Sequence, residues 1–282
     1  MPTILDTLRK GTEYLEKYEI EDARLNMEHL IAHTLRIERM QLYLDFDRPL
    51  DEVDLEKLRD LTKRRSRGEP LQHLLGTVEF CDLEFVTDPR ALVPRPETEE
   101  LCTALLKSPP GPSSRVLDMG CGSGVIGLAL AHHWRDLETE FVLCDHSSAA
   151  LSLAQENATL LHLNERVKFL ESDLFESISG DFDLIVANLP YIPRNEETDL
   201  SREVLHDPAE ALYGGNSGLE LIARFLRVAP SYLRAQGKVA LEHGIHQSES
   251  IWKLAEESGF DTIESRKDLS GIERFLFATK SN

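Results

Sequence analysis

Apolar residues recur at helical spacing in the first quarter of the chain and at strand spacing through much of the rest. In "EDARLNMEHLIAHTLRI", Met27, Leu30, Ile31 and Leu35 fall at i, i+3, i+4 and i+8, one face of a helix. Glu21 and Asp22 precede it and suit its positive end. In "DEVDLEKLRDLTKRRSRG", Leu55, Leu58 and Leu61 are three apart, with acids first and Lys63, Arg64, Arg65 and Arg67 last. Charge complements the helix dipole at both ends, and Gly68 is placed as a C-terminal cap. Residues 76–93, "GTVEFCDLEFVTDPRALV", alternate instead, which predicts a hairpin. "PRPETEEL" starts a helix, with Pro96 at a first helical position and Glu97, Glu99 and Glu100 in its first turn.

Beyond the breaker-rich "KSPPGPSS", short apolar runs alternate with helical segments. "RVLDMG", "EFVLCDHS", "RVKFLESD", "FDLIVANL" and "GKVALEHG" read as strands. "SGVIGLALAHHW", "SAALSLAQENATLLHL", "GLELIARFLRVAPSYL" and "QSESIWKLAEESGF" read as helices. Such alternation predicts an α/β fold with a largely parallel sheet covered on both faces. "DTIESRKD" and "ERFLFATK" follow each other closely, so one of these closing strands is expected to be antiparallel to its neighbours. The organisation predicted is a helical domain over 1–75, a linking hairpin over 76–95 and an α/β domain over 96–282.

Charge narrows the partners. The net charge is −19. Both parts are acidic: residues 1–100 hold 15 Lys and Arg against 23 Asp and Glu, and the remainder 16 against 27. Nucleic-acid affinity rests on phosphate contacts, so a large basic face and direct nucleic-acid binding are not expected. No run approaches the roughly 18 apolar residues that span a bilayer. Cys81, Cys102, Cys121 and Cys144 are scattered, without metal-ligand spacing, so no metal site is expected; reduced thiols suit a cytoplasmic protein.

Three groups of residues carry candidate chemistry. In "VLDMGCGSGVIGLALA", Gly120, Gly122 and Gly124, with Cys121 and Ser123 between them, join the first parallel strand to its helix, where backbone can approach a ligand. Asp118 stands two residues before the first glycine. A pyrophosphate has no use for that carboxylate, whereas a ligand with an ammonium or sulfonium does, so S-adenosylmethionine fits better than NAD. Asp145 ends the second strand and is placed to accept from ribose hydroxyls. Asp173 ends the third and is placed to accept from an adenine amino group, with Leu174 and Phe175 as ring walls or as core.

Asn188-Leu189-Pro190-Tyr191 ends the fourth strand. An amide or aromatic-amine nitrogen attacks poorly because its lone pair is delocalised. Two acceptors gripping its N–H bonds fix and polarise it. Asn188 supplies a side-chain oxygen and Leu189 a backbone carbonyl, aimed by the restriction Pro190 imposes. Tyr191 can stack on the planar group and face the cation. The tetrapeptide thus points to methylation of a planar nitrogen, in an adenine, a cytosine or a glutamine.

Blocks along nearly the whole chain resemble the bacterial release-factor glutamine methyltransferases: "DARLNMEHLIAHTL", "RRSRGEPLQHLLGTVEF", "LVPRPETEEL", "VLDMGCGSG", "VANLPYIP", "ALYGGNSGLELI", "LEHGIHQ" and "DLSGIERFLFA". The pairing of GEPLQHLLG with PRPETE is far more specific than the glycine loop. The resemblance implies a seven-stranded Rossmann-like methyltransferase sheet behind a small helical domain. It implies S-adenosylmethionine as donor and the amide of the glutamine in the Gly-Gly-Gln loop of class-I peptide release factors as acceptor. Gly120 to Gly124, Asp145, Leu174 and Asn188 would contact the cofactor, and Asn188 to Tyr191 the substrate amide. Arg95 and Glu97 would lie near the active site or simply start a helix. The helical domain would dock the release factor, with Lys63 to Arg67 meeting an acidic surface. Nothing in the sequence specifies an oligomer, so a monomer is the default expectation. That family usually has Pro where this chain has Leu189. Asn-Leu-Pro-Tyr is also carried by a class of ribosomal-RNA adenine dimethyltransferases, so the alternative is an adenine amino methyltransferase.

Overall fold

The computed structural model describes residues 1–281; Asn282, the last residue of the expected second domain, lies outside them. The chain divides into two compact units. One comprises 1–77 together with 201–206, the other 78–200 and 207 onward. The expected C-terminal domain is therefore interrupted by a short segment that belongs with the helices.

The helical unit holds α1 (Ile4–Lys17), α2 (Ala23–Leu35), α3 (Glu52–Ser66) and the single turn α4 (Leu71–Leu75). Thr3 and Asp6 form a reciprocal capping box at the start of α1. Asp22 is the N-cap of α2 but is left-handed, with no side-chain cap, so the acids there act through charge alone. Met27, Leu30 and Ile31 pack with Leu55, Leu58 and Leu61 in one core, as their spacing predicts. The basic end of α3 is less free than its sequence suggests. Arg65 is buried, donating to Asn26 Oδ1 at 2.6 Å and to Glu203 Oε2 at 2.6 Å, and Arg64 pairs with Glu69. Of this cluster, Lys63 and Arg67 are exposed.

The larger unit opens with the hairpin β1 (Thr77–Phe80) and β2 (Leu83–Val86), then α5 (Pro96–Leu106). Alternating elements follow: β3 (Arg115–Met119), α6 (Val125–His133), β4 (Glu140–Asp145), α7 (Ser148–Leu160), β5 (Val167–Glu171) and β6 (Phe182–Asn188). After β6 come the short β7 (Ile192–Pro193), α8 (Ala209–Leu212) and β8 (Tyr213–Gly215). The unit closes with α9 (Glu220–Val228), β9 (Leu233–Glu242), α10 (Ser248–Glu257), β10 (Thr262–Lys267) and β11 (Glu273–Thr279).

Seven strands form one sheet in the order β10-β11-β9-β6-β3-β4-β5. The strands β9, β6, β3, β4 and β5 run parallel, and β11 pairs antiparallel with both β9 and β10. Strand alternation assigns side chains to the two faces. Val116, Leu184, Val186 and Ala240 join the core beneath α5, α6 and α7, while Leu117, Met119, Ile185, Ala187 and Leu241 join the core beneath α9 and α10. From β3 the chain steps outward through β4 to β5 on one side, then crosses back from β5 to β6 on the other side of β3. The order reverses at β3, which opens a crevice at the carboxyl ends of β3, β4 and β6.

Candidate active site

That crevice holds a cleft of about 950 Å³, counting its open mouth. Its size suits a nucleoside-bearing ligand. Gly120, Cys121, Gly122 and Ser123 form one wall. The end of β4 folds this loop: Gly120 N–H and Cys121 N–H both donate to Cys144 O, at 2.8 and 2.9 Å. Gly120 and Gly122 have φ of +70° and +55°, a region that disfavours other residues. Gly124 stands outside the cleft wall. It is the left-handed N-cap of α6, and its Cβ would press on Leu128 and Ala154.

Asp118, expected to meet a ligand's cationic group, stands outside the residues that line the cleft. It shares a sheet face with Val116, which turns its carboxylate under α6 rather than into the cleft. It is 1% exposed, and Oδ2 accepts Gly127 N–H at 2.8 Å. Gly127 has no Cβ to block this approach; one would sit 2.9 Å from Asp118 Oδ2. Burial pushes the Asp118 carboxyl up to about 7.

Asp145 lies in the cleft wall. Its Oδ2 accepts Gly122 N–H at 2.9 Å and its Oδ1 accepts Ser147 N–H at 2.9 Å. It therefore ties the glycine loop to the start of α7. His146, absent from the sequence reading, also lines the cleft, and hydrogen bonding to Asp145 raises its pKa. Asp173 and Leu174 line the opposite side, Asp173 paired with Arg224 at 3.0 Å. Phe175 is a core residue, stacked on Phe225 and Tyr232.

Asn188, Leu189 and Pro190 line the cleft; Tyr191 does not. Tyr191 packs at the edge of the second core, with its hydroxyl directed to Glu242 Oε1 at 3.3 Å. Expected to stack on the substrate group, Tyr191 stands outside the residues that line the cleft, with its hydroxyl at the end of β9. Asn188 Nδ2 donates to Thr98 Oγ1 at 2.9 Å, and Thr98 Oγ1 donates to Glu242 Oε2 at 2.7 Å. Neither Thr98 nor Glu242 was singled out in the sequence. The signal available was Glu242 itself, an acid at the end of the apolar run "VALEHG".

Arg95 lines the cleft and pairs with Asp207, whose other oxygen accepts Val93 N–H at 3.0 Å. This bond joins the segment before α5 to the one before α8, which brings Glu210 and Ala211 to the cleft. Glu97 is outside the cleft wall, in the first turn of α5.

The residues present fit S-adenosylmethionine. A Cβ on Gly122 would meet only Ala91, at 3.8 Å, so backbone there stands open to a ligand. Leu92, Val125, Ile126 and Leu174 supply apolar surface for a purine, and Asp145, Asp173 and Glu210 supply acceptors for hydroxyl, amino and cationic groups.

Comparison with known proteins agrees with this geometry. Residues 6–76 match the family described as PrmC N-terminal domain, and residues 97–217 the methyltransferase small domain. The release factor glutamine methyltransferase of Geobacter sulfurreducens is 39% identical over 96% of this chain and 95% of its own. That of Nitratidesulfovibrio vulgaris is 35% identical over 99% and 96%. Among solved structures, a methyltransferase from Pyrococcus furiosus aligns with a TM-score of 0.54 at 19% identity, covering 71% of this chain and 90% of that one. A T. thermophilus 16S rRNA methyltransferase in complex with AdoMet and guanosine aligns with a TM-score of 0.53 at 23% identity, covering 72% and 49%. At these identities the two structures speak for the fold.

Proposed function

The chain belongs to the release factor glutamine methyltransferase family, and from that premise we propose the reaction and the residues that carry it. The enzyme methylates the side-chain amide nitrogen of the glutamine in the Gly-Gly-Gln loop of class-I peptide release factors. S-adenosylmethionine, when bound, supplies the methyl group from its sulfonium.

The observation that carries the reading is the meeting of the glycine loop and Asn188-Leu189-Pro190 in one cleft. Asp145 holds the loop and offers its remaining lone pairs to ribose hydroxyls. Leu174 and Ile126 take the adenine ring. Asn188 Oδ1 and the Leu189 carbonyl accept the two N–H bonds of the glutamine amide, fixing its plane for in-line transfer. Leu189 serves here through its backbone, which every residue has. Asp118 contributes from below, by anchoring the first turn of α6 under the loop.

The helical unit, 1–77 with 201–206, recognises the release factor, and Lys63 and Arg67 are the basic side chains it presents from the end of α3. The segment 78–95, which carries most of the hairpin, leads from this unit into the methyltransferase fold of 96–200 and 207 onward. The protein works in the cytoplasm as a monomer, without direct nucleic-acid contact. Its acidity and four free buried cysteines support this. Among the described residues no helix is long and apolar enough to cross a membrane.

Incubating the enzyme with methyl-labelled cofactor, unmethylated release factor and ribosomal RNA tests the reaction. Label in the release factor protein is the expected result. Label confined to RNA, or none in the protein, would overturn it.

A further inference from the structure

The ends of β6 and β9 are register neighbours, with Asn188 opposite Glu242. Ala187 and Leu241 point to the far core, so alternation turns Asn188 and Glu242 together toward α5. Thr98, on α5, stands between them. Its hydroxyl oxygen is 2.9 Å from Asn188 Nδ2 and 2.7 Å from Glu242 Oε2, and Thr98 and Glu242 are 4% and 1% exposed.

We propose that Thr98 and Glu242 are positioning residues that set which end of the Asn188 amide faces the substrate. The inference rests on Asn188 being the grip on the glutamine amide. A hydroxyl has one proton to give. An ionised Glu242 can only accept, so it takes the Thr98 proton. The Thr98 oxygen is then left to accept from Asn188, which commits the Asn188 NH2 to Thr98. Oδ1 becomes the end available to the cleft that Asn188 lines. The glutamine amide nitrogen carries only donors, so Oδ1 is the end it needs. With Asn188 turned over, two NH2 groups would meet and the acceptor grip would vanish.

The relay depends on the charge of Glu242. Burial pushes its carboxyl up to about 7. The groups that face it are the Thr98 and Tyr191 hydroxyls, Glu97 on α5 and Arg274 on β11, with Glu97 opposing ionisation and Arg274 favouring it. A protonated Glu242 can donate to Thr98, and the Thr98 proton is then free to turn toward Asn188. That arrangement admits the wrong amide orientation. Methyl transfer is accordingly expected to rise with pH through the neighbourhood of 7 as Glu242 ionises.

The experiment uses the full-length enzyme with S-adenosylmethionine and unmethylated release factor, and compares Thr98→Val, Thr98→Ser, Glu242→Gln and Asn188→Ala. Thr98→Val keeps the shape and removes the hydroxyl. It is expected to lower kcat by roughly 10- to 100-fold, the scale of a misplaced reacting group, with KM for S-adenosylmethionine within about two-fold. Thr98→Ser is expected to recover most of that rate, which separates the hydroxyl from packing. Glu242→Gln is expected to lose the rise near neutral pH that the wild type shows. An inactive Asn188→Ala beside a Thr98→Val enzyme of wild-type kcat would overturn the relay and leave the grip standing. So would a Thr98→Ser enzyme as slow as Thr98→Val, or an unchanged pH profile in Glu242→Gln. Full turnover by Asn188→Ala would instead sink the grip itself.

Discussion

Leu189 Cδ2 stands 2.8 Å from the place a Cβ on Gly120 would occupy. The side chain that follows Asn188 thus lies directly on the first glycine of the loop, and Leu189 is itself 3% exposed. The glycine loop and the turn after β6, proposed to hold donor and acceptor, meet side by side in the cleft wall. The Leu189 side chain has a defined packing role here.

Gly120→Ala meets two penalties, a φ of +70° and a contact with Leu189 that must give way. Titration calorimetry is expected to show S-adenosylmethionine bound at least about ten-fold more weakly, a loss of about 1.4 kcal/mol. Adding Leu189→Ala removes the contact but not the backbone strain, so the double variant is expected to regain part of the affinity. Strictly additive effects would mean that the two residues do not couple.

Asp145 uses one oxygen for Gly122 and the other for Ser147. Asn in its place has a single acceptor oxygen, so one of those N–H groups would face an NH2. A hydrogen bond to a charged acceptor contributes about 1.5–3 kcal/mol. Asp145→Asn is therefore expected to weaken S-adenosylmethionine binding by roughly 10- to 100-fold, mainly by loosening the loop. Unchanged affinity in the same titration would show that the loop holds its shape without this carboxylate.

Asp118 predicts a pH dependence of stability. Its carboxyl titrates near 7 in the fold against a reference value of 3.8. Below about 4 both folded and unfolded chains hold the proton and the group costs nothing. Between about 4 and 7 the unfolded chain releases it while the fold retains it, so stability falls as pH rises; above 7 the loss is complete. Its ceiling is about 4 kcal/mol. Asp118→Asn cannot titrate, so its stability relative to wild type is expected to improve between pH 5 and pH 8. Glu242 is common to both proteins and cancels in the difference. Urea unfolding at the two pH values measures it, and a pH-independent gap would show that Asp118 does not carry this burden.

The glycine loop, Asp145 and the Asn-Leu-Pro-Tyr turn were legible in the sequence because each is contiguous and sits where an apolar run stops. The parallel sheet was legible from the alternation of strands and helices, and the antiparallel closing pair from its short connection. Thr98 and Glu242 were not, because they lie 144 residues apart and meet only through the adjacency of β6 and β9 and the placement of α5. Asp118 and Tyr191 were located in the chain, but that their side chains stand outside the cleft wall was not legible. A motif fixes a residue's position, whereas strand alternation for Asp118 and the path of the backbone after Pro190 for Tyr191 decide where the side chain goes. Arg65 shows the same limit from the surface side: a basic residue at a helix end reads as solvated until Asn26 and Glu203 are seen to hold it.

The central claim is that the Asn188 site methylates a release factor glutamine. Tandem mass spectrometry of release factor treated with S-adenosylmethionine and either wild-type enzyme or Asn188→Ala tests it most directly. One added methyl group on the glutamine of the Gly-Gly-Gln loop with wild type, and none with Asn188→Ala, is the result predicted. A methyl group on another residue, or the same yield from both enzymes, would contradict it.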